Sequence, residues 1–449
     1  MTRKLWQAGV SELDPVVERF LAAEDIQWDQ RLVPYDILGN AAQARVLVKA
    51  KVLTKAEGAR LVRALAELYR KWERGGLKLR LSDEDVHTRI EAELTKRLGA
   101  LGKKIHTGRS RNDQVLVDLR LYILDRVKEL REATLAVGDA CLKVARRHEF
   151  SPMPGYTHMQ RAMPSSVGLW MDSWVTAFQM DSFHLRRSYE NPLGSASGYG
   201  TLVRTDRVYA ASLLALNVAQ FNVLYIQTSR GKLEMELLHA MAQALLDCNR
   251  LASDCLLFST AEFGFLRLPS FMTTGSSLMP NKRNADVWEL VRAAYHLHLG
   301  DLTALASVQA NLPSGYNRDL QVTKGLLIRS VERALEVLEV MRRTVEAMEI
   351  DVKRCREACD DSILATDRAT LLALSGTPFR DAYRQVKGGV SGPKLTLDQA
   401  LRRKRSRVAP GNLKLPSDLK EDMSVWKKDR KRRAKMLSRL LDPSWRMGR

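Results

Sequence analysis

No apolar run in the 449 residues approaches the roughly 20 that a bilayer-spanning helix needs. The start, Met1-Thr2-Arg3-Lys4-Leu5-Trp6, lacks the apolar core of a secretory signal, and a cytoplasmic protein is expected. Cysteine is sparse: Cys141, Cys248, Cys255, Cys355 and Cys359 are odd in number and form no Cys-x2-Cys pair, which argues against a disulfide framework or a zinc ribbon. Aromatics make up only 6%. Neither a P-loop nor a Gly-x-Gly-x-x-Gly turn is present, so carboxylates are better candidates than nucleotides for any anionic ligand. His296-x-His298 has a spacing that sends two helical side chains to different faces, and no metal site is expected there.

What is present is charge and helical periodicity. Net charge is +20, and residues 401–449 carry 17 Lys and Arg against 5 Asp and Glu, so the excess is mainly a property of the C-terminal tail. Runs such as Arg402-Arg403-Lys404-Arg405 and Lys427-Lys428-Asp429-Arg430-Lys431-Arg432-Arg433 suit an anionic surface or nucleic acid. With only Trp426 and Trp445 among them, a solvated basic helix and linker is the plainer expectation.

Apolar residues step alternately by three and four at Val127, Leu130, Thr134, Val137, Cys141, Val144, with Thr134 the polar exception. The pattern recurs at Leu238, Met241, Leu245, Cys248, Ala252, Cys255, and at Trp288, Val291, Tyr295, His298, Leu302, Leu305. These are heptad seams of three long helices. Val331, Leu335, Leu338, Val345 and Met348 indicate a fourth helix, and Trp170 to Leu185 supports another. Pro and Gly cluster at Ser151–Gly155, Asn191–Gly194, Leu268-Pro269 and Leu312–Gly315, marking bundle ends. No strand ladder is evident, so the fold class is all-α. The expected organisation is an N-terminal helical domain (1–105), a central long-helix bundle (106–350), a small helical domain (351–390) and a basic tail (391–449).

Three polar loops carry the chemistry. One is Lys104 to Gln114, which includes Arg111 and Asn112; another is Met153 to Arg161, with Thr157 and His158. The third, Gly275-Ser276-Ser277-Leu278-Met279-Pro280-Asn281-Lys282-Arg283-Asn284, packs turn formers, two hydroxyls, a cation and an amide into ten positions. Peptide N–H groups in such a turn can point at one anion, and Lys282 would favour the alkoxide of a nearby serine. Arg111 and Lys282 bring charge; Asn112, Thr157 and Asn284 bring oriented hydrogen bonds; His158 can move protons near neutral pH. Each has a plainer reading: an ordinary Gly-Ser turn, a helix cap at Asn112, a surface ion pair at Arg111, a turn histidine, and a capping box between Asp286 and Glu289.

His106–Gln114, Pro154–His158 with Gln160-Arg161, and the Gly-Ser-Ser-x-Met-Pro-x-Lys-x-Asn loop together resemble the argininosuccinate lyase branch of the fumarase/aspartase superfamily. Asp83–Thr88, Leu312–Gln321, Ala365-Thr366-Asp367 and Pro378-Phe379-Arg380 extend the similarity from about Leu5 to Lys387. The resemblance implies a fumarase/aspartase-like fold whose central bundle is flanked by two smaller helical domains. It also implies a homotetramer whose active sites are each built from loops of three subunits, and elimination of fumarate from argininosuccinate without a cofactor. By similarity Ser276 takes the Cβ proton, Lys282 supports its alkoxide, and His158, oriented by Glu289, transfers a proton at the guanidino group. Arg111, Asn112, Thr157, Ser277, Asn284, Tyr316, Gln321 and Lys324 correspond to substrate-binding positions.

The chain departs from the family pattern at Ser229-Arg230-Gly231-Lys232-Leu233, which is basic where the family is mixed. It also departs at Asn281 and Ala285, and in having no N-terminal serine near Phe20–Asp25. A lyase for another N-substituted aspartate is therefore an alternative. A non-catalytic structural or nucleic-acid-binding relative is a second.

Overall fold

Heptad spacing becomes helix where the seams run. The computed structural model describes residues 14–185, 189–217, 222–389, 392–410, 412–416 and 419–444; the Met1–Trp6 segment, Ser391 and Trp445 lie outside them. The first helices are α1 (Pro15–Lys49), α2 (Lys55–Glu73), α3 (Val86–Leu98) and α4 (Ala100–Lys103). The long bundle consists of α5 (Arg111–Arg147), α6 (Val167–His184), α9 (Lys232–Phe258), α10 (Asp286–Gln309) and α11 (Thr323–Ala347), with the short α7 (Arg207–Leu214) and α8 (Val223–Thr228) between them. Beyond it come α12 (Val352–Glu357), α13 (Ala365–Leu374), α14 (Phe379–Lys387), α15 (Leu397–Arg403) and α16 (Lys420–Arg439). No helix among the described residues is long and apolar enough to cross a membrane.

The α5 seam is buried throughout, and its one polar member, Thr134, donates its hydroxyl to the Leu130 carbonyl at 2.8 Å. Burial of Leu238 to Cys255 on α9 and of Trp288, Val291, His298 and Leu305 on α10 closes the bundle. His298 turns inward onto the Leu238 carbonyl at 2.8 Å while His296 is exposed, so the two rings do leave the helix on different faces. Cys141, Cys248, Cys255 and Cys355 are buried free thiols.

Short ladders qualify the all-α expectation without changing the class. Strands β1 (Pro152–Thr157) and β2 (Gln160–Ser166) form an antiparallel hairpin between α5 and α6. Its prolines at 152, 154 and 164 hid it from a search for alternating strand residues. Two-residue ladders pair β3 (Leu266–Arg267) with β6 (Glu349–Ile350) and β4 (Thr274–Gly275) with β5 (Arg283–Asn284).

The tail corrects the expectation of a solvated helix. Leu419, Met423, Trp426, Arg430, Arg433, Leu437 and Leu440 recur every three or four residues on one face of α16, which packs on α5. Leu419, Leu437 and Leu440 join the main core. The two arginines in this seam meet acids on α5: Arg430 reaches Glu132 at 3.4 Å, and Arg433 pairs with Asp125. At the far end the Arg45 guanidinium on α1 donates to the carbonyls of Leu440 (3.1 Å) and Asp442 (2.7 Å).

Between α6 and α9 the carboxyl of Asp181 is pushed up to about 7, by burial and then by the adjacent Asp247 charge. An unfolded aspartate titrates near about 3.9, so between about pH 4 and pH 7 only the folded chain keeps this proton. The stability this supplies is present at low pH and is lost as pH rises through 7. Asp181→Asn removes the loss: at pH 8 its urea-unfolding free energy should exceed the parent's by at least about 1 kcal/mol. An equal or lower value at that pH would contradict the assignment.

Candidate active site

The residues singled out in the sequence gather at two ends of the bundle. At the first end, the start of α5 is capped by Ser110, whose Oγ accepts from the Asn112 amide at 3.2 Å. That leaves the Asn112 side chain free of capping, and its amide instead donates to Ser197 Oγ at 3.1 Å. Arg111 points back to Asp85 at 3.1 Å. Burial works against the Asp85 carboxylate, yet His87, Arg111 and the Thr88 amide hold it below its ordinary range.

The Ser195–Ser197 turn is tied down by Asp113. This fully buried carboxylate accepts from Ser195 Oγ (2.7 Å), the amides of Ala196 (2.8 Å) and Ser197 (3.1 Å), and Gln227 Nε2 (3.1 Å). Ser197 also donates to Ser110 at 2.6 Å, at a positive φ of 57°. The sequence reading missed Ser197. The run Gly194-Ser195-Ala196-Ser197-Gly198, small residues after a proline turn, was the available signal.

Tyr316, Gln321 and Lys324 share this end. Arg230, from the departing Ser229–Leu233 stretch, is buried with its guanidinium 5.0 Å from the Tyr316 ring centroid. The substituted basic residue thus packs on a candidate binding tyrosine. Gln321 donates to Asp25 at 2.7 Å, beside a cleft of about 470 Å³ lined by Phe20, Leu21, Asp25 and Trp28. Lys324 is buried between Asp25 (2.7 Å) and Asp29. Burial would lower its pKa, but the two carboxylates raise it and keep the ammonium charged. In this arrangement Lys324 acts on Asp25 and Asp29 directly. Behind it, Asp36 accepts from His87 at 2.8 Å; burial works against the imidazolium, but Asp36 and the other nearby carboxylates raise its pKa, while burial drives the neighbouring Asp118 carboxyl well up. His106 is held down at about 4 by burial and by Arg109 and Arg111, which leaves it neutral at physiological pH.

At the second end, β1 and β2 are joined by His158 and Met159 alone, with φ of 53° and 62°. Two consecutive left-handed residues define the tight turn whose twist matches a hairpin, and they put the His158 ring at the exposed tip, next to the exposed Thr157. Ser276 lies in the β4–β5 loop, where its Oγ accepts the amides of Leu278 (3.2 Å) and Met279 (3.0 Å). Those donors would stabilise negative charge on that oxygen. Ser277 and Lys282 are exposed, and Asn284 is half-buried on β5. The capping box that the Asp286–Glu289 spacing allows does not form: α10 begins at Asp286, whose carboxylate accepts from the Thr274 hydroxyl, and Glu289 stands exposed one turn in. Among the described residues no hydrogen bond joins Glu289 to His158 within the chain.

The two ends are far apart. Asn112 opens α5 and His158 follows its close; α5 has 37 residues and at about 1.5 Å per residue is about 55 Å long. Asn284 and Glu289 flank the start of the 24-residue α10, while Tyr316 follows its end, a separation of about 36 Å. One end offers fixed donors suited to carboxylates. The other presents a serine oxygen under two amides and an exposed histidine.

A family profile described as Lyase matches residues 14–296. The argininosuccinate lyase of Sorangium cellulosum is 45% identical over 420 residues, covering 92% of this chain and 97% of that one. That of Thermotoga neapolitana is 38% identical over 390 residues, covering 86% and 98%. Among solved structures, an EDDS lyase variant with bound fumarate superposes with a TM-score of 0.76 at 21% identity, covering 97% of this chain and 94% of that one. The 3-carboxy-cis,cis-muconate lactonizing enzyme from Pseudomonas putida gives 0.65 at 16% identity, covering 95% and 100%. At these identities the two structures speak for the fold.

Proposed function

The chain belongs to the argininosuccinate lyase branch of the Lyase family, and from that premise we propose how its two polar ends divide the work. The reaction eliminates fumarate from argininosuccinate and leaves arginine. Carbon acids beside a carboxylate are very weak, so a proton leaves Cβ only when the resulting aci-carboxylate is met by preorganised donors and cations. Arg111, Asn112, Ser197, Tyr316 and Gln321 supply those donors at the first end, and Lys324 positions Gln321 through Asp25.

Ser276 at the second end removes the Cβ proton. The reading rests chiefly on its Oγ, which already accepts two loop amides and so stands where an alkoxide would be stabilised. Lys282 adds positive charge, and Ser277, Asn284 and Thr157 bind substrate oxygens. As the C–N bond breaks, its electron pair goes to the guanidino nitrogen and His158 supplies the proton; Glu289 orients the imidazole. No cofactor enters this scheme.

Because about 36 Å or more separates the ends within one chain, each site draws on several subunits. A homotetramer is supported by apolar side chains left exposed on the bundle, among them Met180 and Phe183 of α6 and Leu290 and Leu297 of α10. We assign residues 1–105, 106–350, 351–390 and 391–449 to the four segments expected from the sequence, with 106–350 assembling the tetramer. Five unpaired cysteines accord with a reducing, cytoplasmic setting.

The test is direct. Purified protein incubated with argininosuccinate should release fumarate, followed by its ultraviolet absorbance, with equimolar arginine. A folded tetramer silent on argininosuccinate but active on another succinyl-amine would move the assignment to that substrate, with Arg230 against Tyr316 as the residue to exchange.

A further inference from the structure

The outer face of α16 carries charge that neither the packing nor the catalytic reading uses. Lys427, Lys428, Lys431, Arg432, Lys435 and Arg439 are all exposed. At about 100° per residue they fall within an arc of about 140°, and they run about 18 Å along the helix axis. None of these side chains forms an ion pair or hydrogen bond with a described residue. Asp429, the only acid between positions 427 and 439, lies outside the arc and is taken by Lys128 at 2.9 Å.

The opposite face fixes the stripe in place. Leu437 is buried against the bundle, Arg433 and Arg430 are held by Asp125 and Glu132 on α5, and the Arg131 guanidinium stacks 3.4 Å from the centre of the Trp426 ring. The helix therefore presents its cations already ordered, which suits a partner with closely and regularly spaced anions. A nucleic-acid duplex carries one negative charge per about 1.7 Å of its axis, so about ten phosphate charges lie along the length of the stripe. A membrane fits less well: an interfacial helix inserts its apolar face, and that of α16 is turned onto α5. So does a single strand, because its bases stack on open aromatic rings, and Trp426, the one aromatic of α16, is covered by Arg131.

We propose that the outer face of α16 binds duplex nucleic acid through its phosphates, without reading base sequence. The six cations belong to neither polar end, so this surface stands apart from the catalytic reading.

Labelled DNA and RNA duplexes of arbitrary sequence, titrated with the full-length protein and followed by fluorescence anisotropy, test it. Both should bind at low salt, and the affinity should fall as salt rises with a log–log slope of about −0.9 for each phosphate contacted. Lys428→Glu, Lys431→Glu and Lys435→Glu together should weaken binding at least about tenfold and flatten that slope by about 2–3. A control triple on exposed positions of α2, Lys55→Glu, Arg60→Glu and Arg63→Glu, changes the net charge equally and should stay within about twofold of the parent. Both triples change solvent-facing side chains, so their thermal melting should match the parent's. Unlabelled single-stranded DNA and phosphatidylserine vesicles should compete poorly. The proposal is overturned if neither duplex binds, if the two triples weaken binding alike, or if single strands or vesicles displace the labelled duplex as well as unlabelled duplex does.

Discussion

Two variants that are each silent, Ser276→Ala and Arg111→Met, will regain activity when their subunits are dissociated, mixed and reassembled. The expectation follows from helix length. Arg111 opens α5 at the end of the bundle where Asn112, Ser197 and Gln321 converge, whereas Ser276 precedes α10 at the opposite end. If a site takes the two groups from different subunits, some reassembled sites receive an intact Arg111 from one variant and an intact Ser276 from the other. Random mixing of equal amounts makes about one site in four intact, so activity should return to roughly a quarter of the parent's. The check is fumarate release before and after reassembly, with parent protein taken through the same cycle. A mixture that stays silent while the parent recovers would place both groups in one subunit's site.

Ser276→Ala alone should lower kcat by about 10³-fold, the scale expected for removing a positioned base. Substrate affinity should change little, since the serine is assigned to proton removal, whereas substrate binding is assigned to other residues at both ends. The loop is open to solvent, so thermal stability should match the parent's, which separates lost chemistry from lost fold. His158→Asn should fall by about 10²-fold, because water can replace a proton donor more readily than a base. A decrease below tenfold for Ser276→Ala would mean that another group takes the proton.

Periodicity made the bundle legible: the seams through Val127, Leu238 and Trp288 are buried because only a 3.5-residue repeat keeps one helical face covered over such lengths. The same rule applies to α16, yet its seam was hidden, because positions 430 and 433 are arginines that read as surface residues until Glu132 and Asp125 on α5 are seen opposite them. Local chemistry misleads in a similar way. Asn112 sits where a cap is plausible, but Ser110 takes that role, and Asp286 with Glu289 has capping-box spacing without forming the box. The hairpin carrying His158 was obscured by prolines, and its turn uses two left-handed residues of which neither is glycine. Ser197 was out of reach for another reason: its contact with Asn112 joins positions 85 residues apart, and nothing in either neighbourhood announces the other.

The hydrogen bonds from Arg45 to the carbonyls of Leu440 and Asp442 span 395 and 397 residues. A chain emerging from the ribosome N-terminus first, at about 5–20 residues per second, therefore has its opening helix ready long before its closing partner exists. For that interval the α5 strip later covered by Trp426 and Leu437 faces solvent or a chaperone. Docking of α16 therefore follows synthesis of the rest of this core, and a chain terminated before α16 carries an uncovered apolar strip on α5.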